Sequence, residues 1–517
     1  MRTFSVIAAL AAAKPTLAKG PFLQQVSSTQ WIVGNDLWNL TQGATYATNL
    51  QYQGSDAVGK AQGHYAGVDG EANLVYTDAK IVSKSPDFID VAFSSTLGDL
   101  HWVIYADLAG AYQYFVNKAL PDLSIFRTLW RLDPGRFTHG YNTNKNEKLP
   151  DFALYANATE VQDETFLFPD GSYVTKYDFA NYVRERDFIG VYGEKTGSWF
   201  IHPSNEYQPG NHLSQTLTNN GSVSDARARA AKERLTFPYA FLNSTAYHSR
   251  GTLKGRLTLS DGRPAAGAAI FLGDTNTSTR PLVQGSGYYY TAFADASGSF
   301  FIPQIRTGSY GLIAASNGGA IRDVYTNYTS SPISISKDLA TDLGALTWTV
   351  PSNTQRIFQI GNFDKKATGF TNSGPRVHGL TQKSPANLTF IVGSSRTEQW
   401  YYTSSALGSW DVVFNATAPV GAKKARLGVS LAGYSQSTAL SIYLNENQTV
   451  GTISKDTLAS DPALYRSGTI SGEWRFLQYD IDAADLEAGR NVLSFKTERY
   501  TLWRGIMWDS IILEWVL

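Results

Sequence analysis

Apolar and polar residues alternate in short runs through the first part of this 517-residue chain: TQWIVGNDLWNLTQ, ATYATNLQYQG, DFIDVAFSST, LHWVIYADL and AYQYFVNKAL. Gly, Asp or Asn separates the runs, which together read as antiparallel β-strands. Phe126–Leu132 (FRTLWRL) and Asp187–Trp199 continue the pattern. From Thr29 to about Leu217 it predicts one large β-sandwich rather than a βαβ succession. One helix is expected in SVSDARARAAKERL, where Ser222 and Asp225 make a weak capping box and the basic face is expected to be solvated.

The rhythm changes near His248. RGTLKGRLTLSDGRPAAGAAIFLGD reads strand, Asp-Gly turn, Pro, strand, and GSFFIPQIRTGSYGLIAAS repeats short strands. About 100 residues of this kind suggest a small sandwich resembling immunoglobulin or fibronectin type III domains, acting as a passive spacer. A second boundary lies near Pro351. The ~165 residues after it fit a jelly roll in length and β content. They hold Trp400, Trp410, Trp474, Trp503, Trp508 and Trp515, mostly core by expectation, with a minority available to stack on sugar rings.

Composition narrows the possibilities. Hydrophobic content of 43% and charge of 17% describe a globular chain, and equal counts of 44 basic and 44 acidic residues point to no nucleic-acid or anionic-membrane partner. With no cysteine there is no disulfide, thiolate metal site or cysteine nucleophile. The start, MRTFSVIAALAAAKPTLAKG, has the form of a signal peptide cleaved after Ala18, too short to span a bilayer. Nine Asn-x-Ser/Thr sequons, Asn39, Asn157, Asn220, Asn243, Asn276, Asn327, Asn387, Asn415 and Asn447, accord with secretion. A secreted, extracellular monomer is expected.

No G-x-S-x-G elbow, H-E-x-x-H, EF-hand loop or phosphate-cradling loop occurs. Paired carboxylates for glycoside hydrolysis have candidates in Asp163, Glu164 and Asp178, though carboxylates are too common for specificity. The densest chemistry lies in Asp170–Leu217, where Lys176, His202 and His212 stand among strand-forming aromatics, with Arg127 and His139 upstream. Breaking a uronate polymer by β-elimination requires a cation on the sugar carboxylate, a base for the adjacent proton and an acid for the leaving oxygen. An Arg fork suits the carboxylate. A Lys serves as base only where burial or a neighbouring cation lowers its pKa. The alternative is a solvated strand lysine paired with Asp178.

The runs WIVGNDLWNLTQG, HWVIYADLAGAYQYFVNKALPDLSIFRTLWRLD, VQDETF, TKYDF, FIGVYGEKTGSWFIHPSNEY, FQIGNFDKKATGF, SLAGYSQSTALSIYLN and ERYTLWRGIMWDSIILEW resemble fungal rhamnogalacturonan lyases of polysaccharide lyase family four. The resemblance extends from about Gly20 to the C-terminus. It implies an all-β chain of four parts: a signal peptide over 1–18, a catalytic β-sandwich over 19–247, a fibronectin type III-like domain over 248–349 and a jelly roll resembling a carbohydrate-binding module over 350–517. It further implies β-elimination at the rhamnose–galacturonate bond of pectin, with pectic polysaccharide (rhamnogalacturonan I) as partner, no cofactor and no obligatory metal. By resemblance, Lys176 in TKYDF is the base and Arg127 in IFRTLWRL binds the galacturonate carboxylate. The family's His, proposed as the acid, lies in a stretch with no counterpart here, because Leu217-Thr218 runs almost directly into NNGSVSDARARAAKERLTFPYAF. His202 and His212 precede the gap as weak candidates for the acid. A genuine deletion, a splice variant and a faulty exon assignment would leave the same pattern. The loss of several strands is expected to open a sheet edge, and a catalytically impaired, polysaccharide-binding protein is the alternative reading.

Overall fold

The computed structural model describes residues 20–68, 72–118, 126–143, 145–162, 165–175, 187–204, 206, 213–219, 221–277, 288–373, 383–434, 438–454, 474–499 and 505–517. The expected signal peptide, Asp163, Glu164, Lys176, Asp178, His212 and Trp503 lie outside the described residues. Strands dominate, as the alternation predicts, and no helix among the described residues is long and apolar enough to cross a membrane. The chain divides into two compact units. One comprises Met1–Phe137, Tyr192–Ile201 and His212–Ala226; the other comprises Thr138–Val191, His202–Asn211 and Arg227–Leu517.

In the first unit, Phe22–Ser27, Gln30–Gly34, Trp38–Gln42, Ala47–Tyr52, Gly63–Val68 and Phe126–Arg131 hydrogen-bond in that order. A second row runs Thr196–Ile201, Leu213–Asn219, Gly110–Asn117, Gly98–Tyr105, Phe88–Ser94 and Asp78–Lys84. The period of two sends every second side chain inward, so rings from the two layers meet: Trp31 on Phe93 at 5.9 Å, Trp38 on Trp102 at 6.4 Å and Phe115 on Phe126 at 4.6 Å. Each fully buried Leu or Phe in such a core contributes roughly 1.5–3 kcal/mol.

The WIVGNDLW run owes its form to Asn35, which is 1% exposed. Its Nδ2 donates to the carbonyls of Tyr105 (2.6 Å) and Leu108 (2.7 Å), and its Oδ1 accepts from the Leu37 and Trp38 amides. Trp38 Nε1 also donates to Leu108 O at 3.1 Å. One satisfied amide thus ties a turn of the first row to a turn of the second, inside a core that would penalise any unmet polar atom.

Among the described residues, the strand before the shortened region is not the expected open edge. Leu213–Asn219 pairs on both sides: Gly110 faces Thr216 and Gln113 faces Leu213, while Thr196 faces Asn219 and Ile201 faces Ser214. Ser214–Thr216 have partners on both sides and Leu217 donates its amide to the Ala109 carbonyl, so this part of the strand presents no unpaired backbone row. The chain then turns through Gly221, at φ +58°, where an added Cβ would stand 1.9 Å from the Gly193 carbonyl oxygen. Only glycine combines that left-handed conformation with so close an approach.

The helix forms over Val223–Thr236, with Ser222 Oγ accepting the Asp225 amide at 3.1 Å. Ala226, Ala230 and Glu233 are buried at helical spacing, with Phe237 following. Arg227, Lys232 and Arg234 are exposed, in keeping with a solvated basic face, and three of the four basic residues also make side-chain contacts. Arg227 donates to Tyr141 OH, Arg229 bridges to Glu233, and Arg234 meets Asp187 at 2.5 Å.

Further along the second unit, Ser299–Arg306, Arg250–Leu259 and Ala340–Trp348 form one sheet, and Tyr288–Phe293, Ala269–Gly273, Gly308–Ala315 and Tyr328–Ile335 form another. Leu253, Leu257, Ile270, Leu272, Phe300, Ile302, Leu312 and Trp348 fill the space between them. The C-terminal part stacks Thr354–Gly361, Ile506–Val516, Lys424–Tyr434 and Arg475–Asp482 over a second five-stranded sheet that includes Gly408–Ala416 and Gly489–Arg499. Its tryptophans belong to the core: Trp400, Trp410, Trp508 and Trp515 are at most 3% exposed. Trp400 packs perpendicular to Trp410 at 5.0 Å, so these rings interlock with each other and cannot meet a sugar. Trp474 is half-buried, with Lys365 Nζ 3.9 Å from its ring centroid.

Candidate functional site

Arg127 lies on Phe126–Arg131, which pairs with Gly63–Val68 so that Arg127 faces Gly67. Strand alternation turns Phe126, Thr128 and Trp130 toward the core and leaves Arg127, Leu129 and Arg131 on the outer face. Arg127 is half-buried, its Nε is buried without a hydrogen-bond partner, and among the described residues no carboxylate pairs with it. A partly desolvated guanidinium with an unmet donor is a receptor for an anion, because burial of an unpaired charge is costly until an anion arrives.

The neighbours on that face suit a sugar. Gly67 faces Asn73, whose Nδ2 donates to Tyr46 OH at 3.2 Å and whose buried Oδ1 has no partner. Arg131 Nη2 donates to Tyr65 OH at 3.3 Å, and Tyr65 meets Tyr46 edge-on at 5.7 Å. Guanidinium, amide and phenol groups thus share one face, with no side chain on Gly67 to crowd Arg127.

The inner face holds what the alternation pattern did not reveal. His64 faces Trp130 across the ladder, is 0% exposed, and packs on Trp102 at 5.0 Å and Trp130 at 4.9 Å. Thr128 Oγ1 donates to Gln113 Oε1 at 3.1 Å and lies 2.6 Å from His64 Nε2, Gln113 Nε2 lies 3.4 Å from the same nitrogen, and Nδ1 has no hydrogen-bond partner. Burial lowers the His64 pKa to about 3, so the ring is neutral. This polar knot fixes the strand bearing Arg127, one residue away, to strands of both layers. A second knot, equally unread in the sequence, joins His101 Nδ1 to Asp90 at 2.9 Å and Tyr114 OH to the other Asp90 oxygen at 2.5 Å. Burial first and Asp90 second raise the Tyr114 pKa.

Of the other expected site residues, His202 follows Thr196–Ile201, is half-buried, and donates its backbone amide to Asp187 O at 3.1 Å. His139 is half-buried with Thr138 Oγ1 3.0 Å from its Nδ1. The Tyr173–Thr175 strand ends at the residue before Lys176, the first of the undescribed stretch 176–186. Asp187 is pushed up by burial, against the pull of Arg234 and then Arg227.

Glu206 of the crowded FIHPSNEY run is a clip. It is 1% exposed, receives both Arg250 terminal nitrogens (2.5 and 3.2 Å) and accepts from Tyr290 OH at 2.5 Å. Arg250 in turn donates to the carbonyls of Tyr247 and Gln304 and lies 4.7 Å from the Phe237 ring centroid. Every polar atom of the pair has work inside the fold, so Glu206 is not an available acid.

Residues 260–343 match the model of polysaccharide lyase family 4, domain II, and residues 356–513 match that of polysaccharide lyase family 4, domain III. Two such modules in this order mark the chain as a polysaccharide lyase. With the relatives named below, they support a member of polysaccharide lyase family 4. Both matched ranges lie C-terminal to Arg127 and Lys176. Named relatives are bacterial and fungal. The chain is 26% identical over 511 residues to the rhamnogalacturonate lyase of Dickeya dadantii, covering 87% of this chain and 84% of that protein. It is 23% identical over 448 residues to the probable rhamnogalacturonate lyase B of Neosartorya fischeri, covering 68% and 67%. A probable rhamnogalacturonate lyase B of Aspergillus fumigatus is 25% identical over 335 residues, 53% of this chain and 49% of that protein.

Proposed function

We propose that the chain is a secreted rhamnogalacturonan endolyase that cleaves the rhamnose–galacturonate bond of pectin by β-elimination. The observation that carries this reading is the unpaired, half-buried Arg127 on a face of amide and phenol groups, in a chain whose relatives are rhamnogalacturonate lyases. Arg127 takes the galacturonate carboxylate, which makes the C5 proton more acidic and stabilises the enolate formed when it leaves. Lys176, as the neutral amine, accepts that proton. The electron pair then forms the C4=C5 double bond as the C4–O bond breaks, and the departing oxygen takes a proton from His202, His212 or water. Mass spectrometry of the products tests the reaction class. Elimination leaves a new end lighter by one water than hydrolysis does, and hydrolytic masses alone would reject the reading in favour of paired carboxylates.

A second reading has its own observation. Leu213–Asn219 has strand partners on both sides, and the Gly221 turn and a helix follow it in sequence, which supports a fold that forms without the stretch bearing the family's acid. On this reading the chain binds pectic polysaccharide and turns it over weakly or not at all. Retardation in a rhamnogalacturonan-containing gel, without unsaturated products, is its expected signature; unsaturated products released steadily over many turnovers would count against it.

A further inference from the structure

The sandwich of domain II presents a groove that a passive spacer does not need. Phe301 is 56% exposed and Phe293 48% exposed, two of the three exposed phenylalanines among the described residues, and both line one open groove of about 670 Å³. Phe301 faces Lys254, which faces Asp342 on its other side, and Arg256 stands two residues along the same face. The inward positions of these strands, Phe300 and Ile302, already fill the core. The exposed rings are therefore surplus to packing, and the groove has the size of a small-ligand cleft.

The polar groups say which ligand. Asp342 is engaged on both oxygens, by the Gly344 amide and by Lys254 Nζ at 3.0 Å, while Asp295 receives the Ser297 and Ser299 amides and the Ser297 hydroxyl on Oδ1. Arg256 gives only its Nε, to the Ser297 carbonyl at 3.1 Å. Among the described residues its two terminal nitrogens make no hydrogen bond. A groove with aromatic walls and a guanidinium whose terminal nitrogens are open fits a sugar whose apolar ring face stacks and whose carboxylate accepts.

We propose that this groove is a second carbohydrate-binding site, taking a uronate-bearing stretch of polysaccharide on residues other than those of the Arg127 face; the identity of the polymer as rhamnogalacturonan rests on the proposed function. Phe293 and Phe301 stack on the sugar rings and Arg256 takes the carboxylate. The site holds polymer and has no part in bond breaking.

The test is affinity electrophoresis of the full chain in gels containing rhamnogalacturonan or its carboxyl-reduced form. The F293A/F301A double variant and R256Q are each expected to raise the dissociation constant for the acidic polymer at least five-fold, with unchanged thermal transitions, since all three side chains are exposed. R256Q is expected to leave binding to the reduced polymer unaltered. Wild-type retardation in both variants, absence of retardation in the wild type, or equal wild-type retardation by the reduced polymer would each overturn the proposal. Turnover of a short oligosaccharide is expected to be the same in wild type and variants. A chain that binds through the groove and releases no unsaturated product would refute the lyase reading alone.

Discussion

Arg127 faces Gly67 across the ladder, and its buried Nε has no hydrogen-bond partner. A charge held this way is a cost to the fold and an asset to a site that must grip a carboxylate. Substituting R127A is expected to lower kcat/KM on rhamnogalacturonan by about 10²–10³, the usual loss for one donor to a developing oxyanion. R127K is expected to recover little of it, because an ammonium lacks the planar fork. Thermal unfolding should be unchanged or shifted slightly upward in R127A, whereas a drop of many degrees would mean that the guanidinium serves the fold instead.

His64 makes the stability of the first unit depend on pH. Its folded pKa of about 3 lies below the ordinary value of 6.5, so the unfolded chain binds the extra proton between those values. The contribution is present above pH 6.5 and is lost as pH falls toward 3, at up to roughly 1.4 kcal/mol per pH unit. Urea unfolding at pH 7 and pH 4.5 should show this loss, and H64Q should flatten the slope even if it lowers stability at both values. An identical slope in H64Q would place the proton uptake elsewhere.

Gly221 carries the junction at which the sandwich closes. G221A combines a left-handed backbone with an overlap on the Gly193 carbonyl, while Gly54, at φ +73°, has open space around it. G54A is expected to cost about 1–2 kcal/mol from conformation alone. G221A should cost distinctly more and should reduce the soluble yield. Equal losses in the two variants would show that the chain takes another path after Leu217.

Glu206 and Arg250 form a buried pair, 1% and 5% exposed. E206Q leaves the guanidinium buried with one neutral partner in place of a charged one, and removing one member of such a pair costs about 3–5 kcal/mol. The prediction is a large fall in stability with kcat of the folded protein unaltered. A fall in kcat with normal stability would instead give Glu206 a part in the chemistry.

Much of this architecture is legible in the sequence because a half-buried strand writes itself as alternation. The first sandwich, the two later β regions and the helix after Ser222 all follow from period and punctuation. Side-chain roles are less legible. His64 occupies an inward position in GHYAGV like any apolar residue, and its polar knot exists only once Thr128 and Gln113 arrive from other strands. Glu206 sits among reactive neighbours in sequence, yet its partner Arg250 is 44 residues away. Trp400, Trp410 and Trp508 look like platform candidates until the two sheets close over them, while Phe293 and Phe301 look like core until the inward positions are seen to be filled. Composition cannot say which face of a strand a ring occupies; register can.

The central claim concerns bond breaking, and the ultraviolet absorbance of unsaturated uronate during incubation with deacetylated rhamnogalacturonan tests it most directly. The account predicts a steady rise with the wild-type chain, abolished in K176A, while the thermal transition of K176A stays close to the wild-type value. No rise above the K176A control would contradict it.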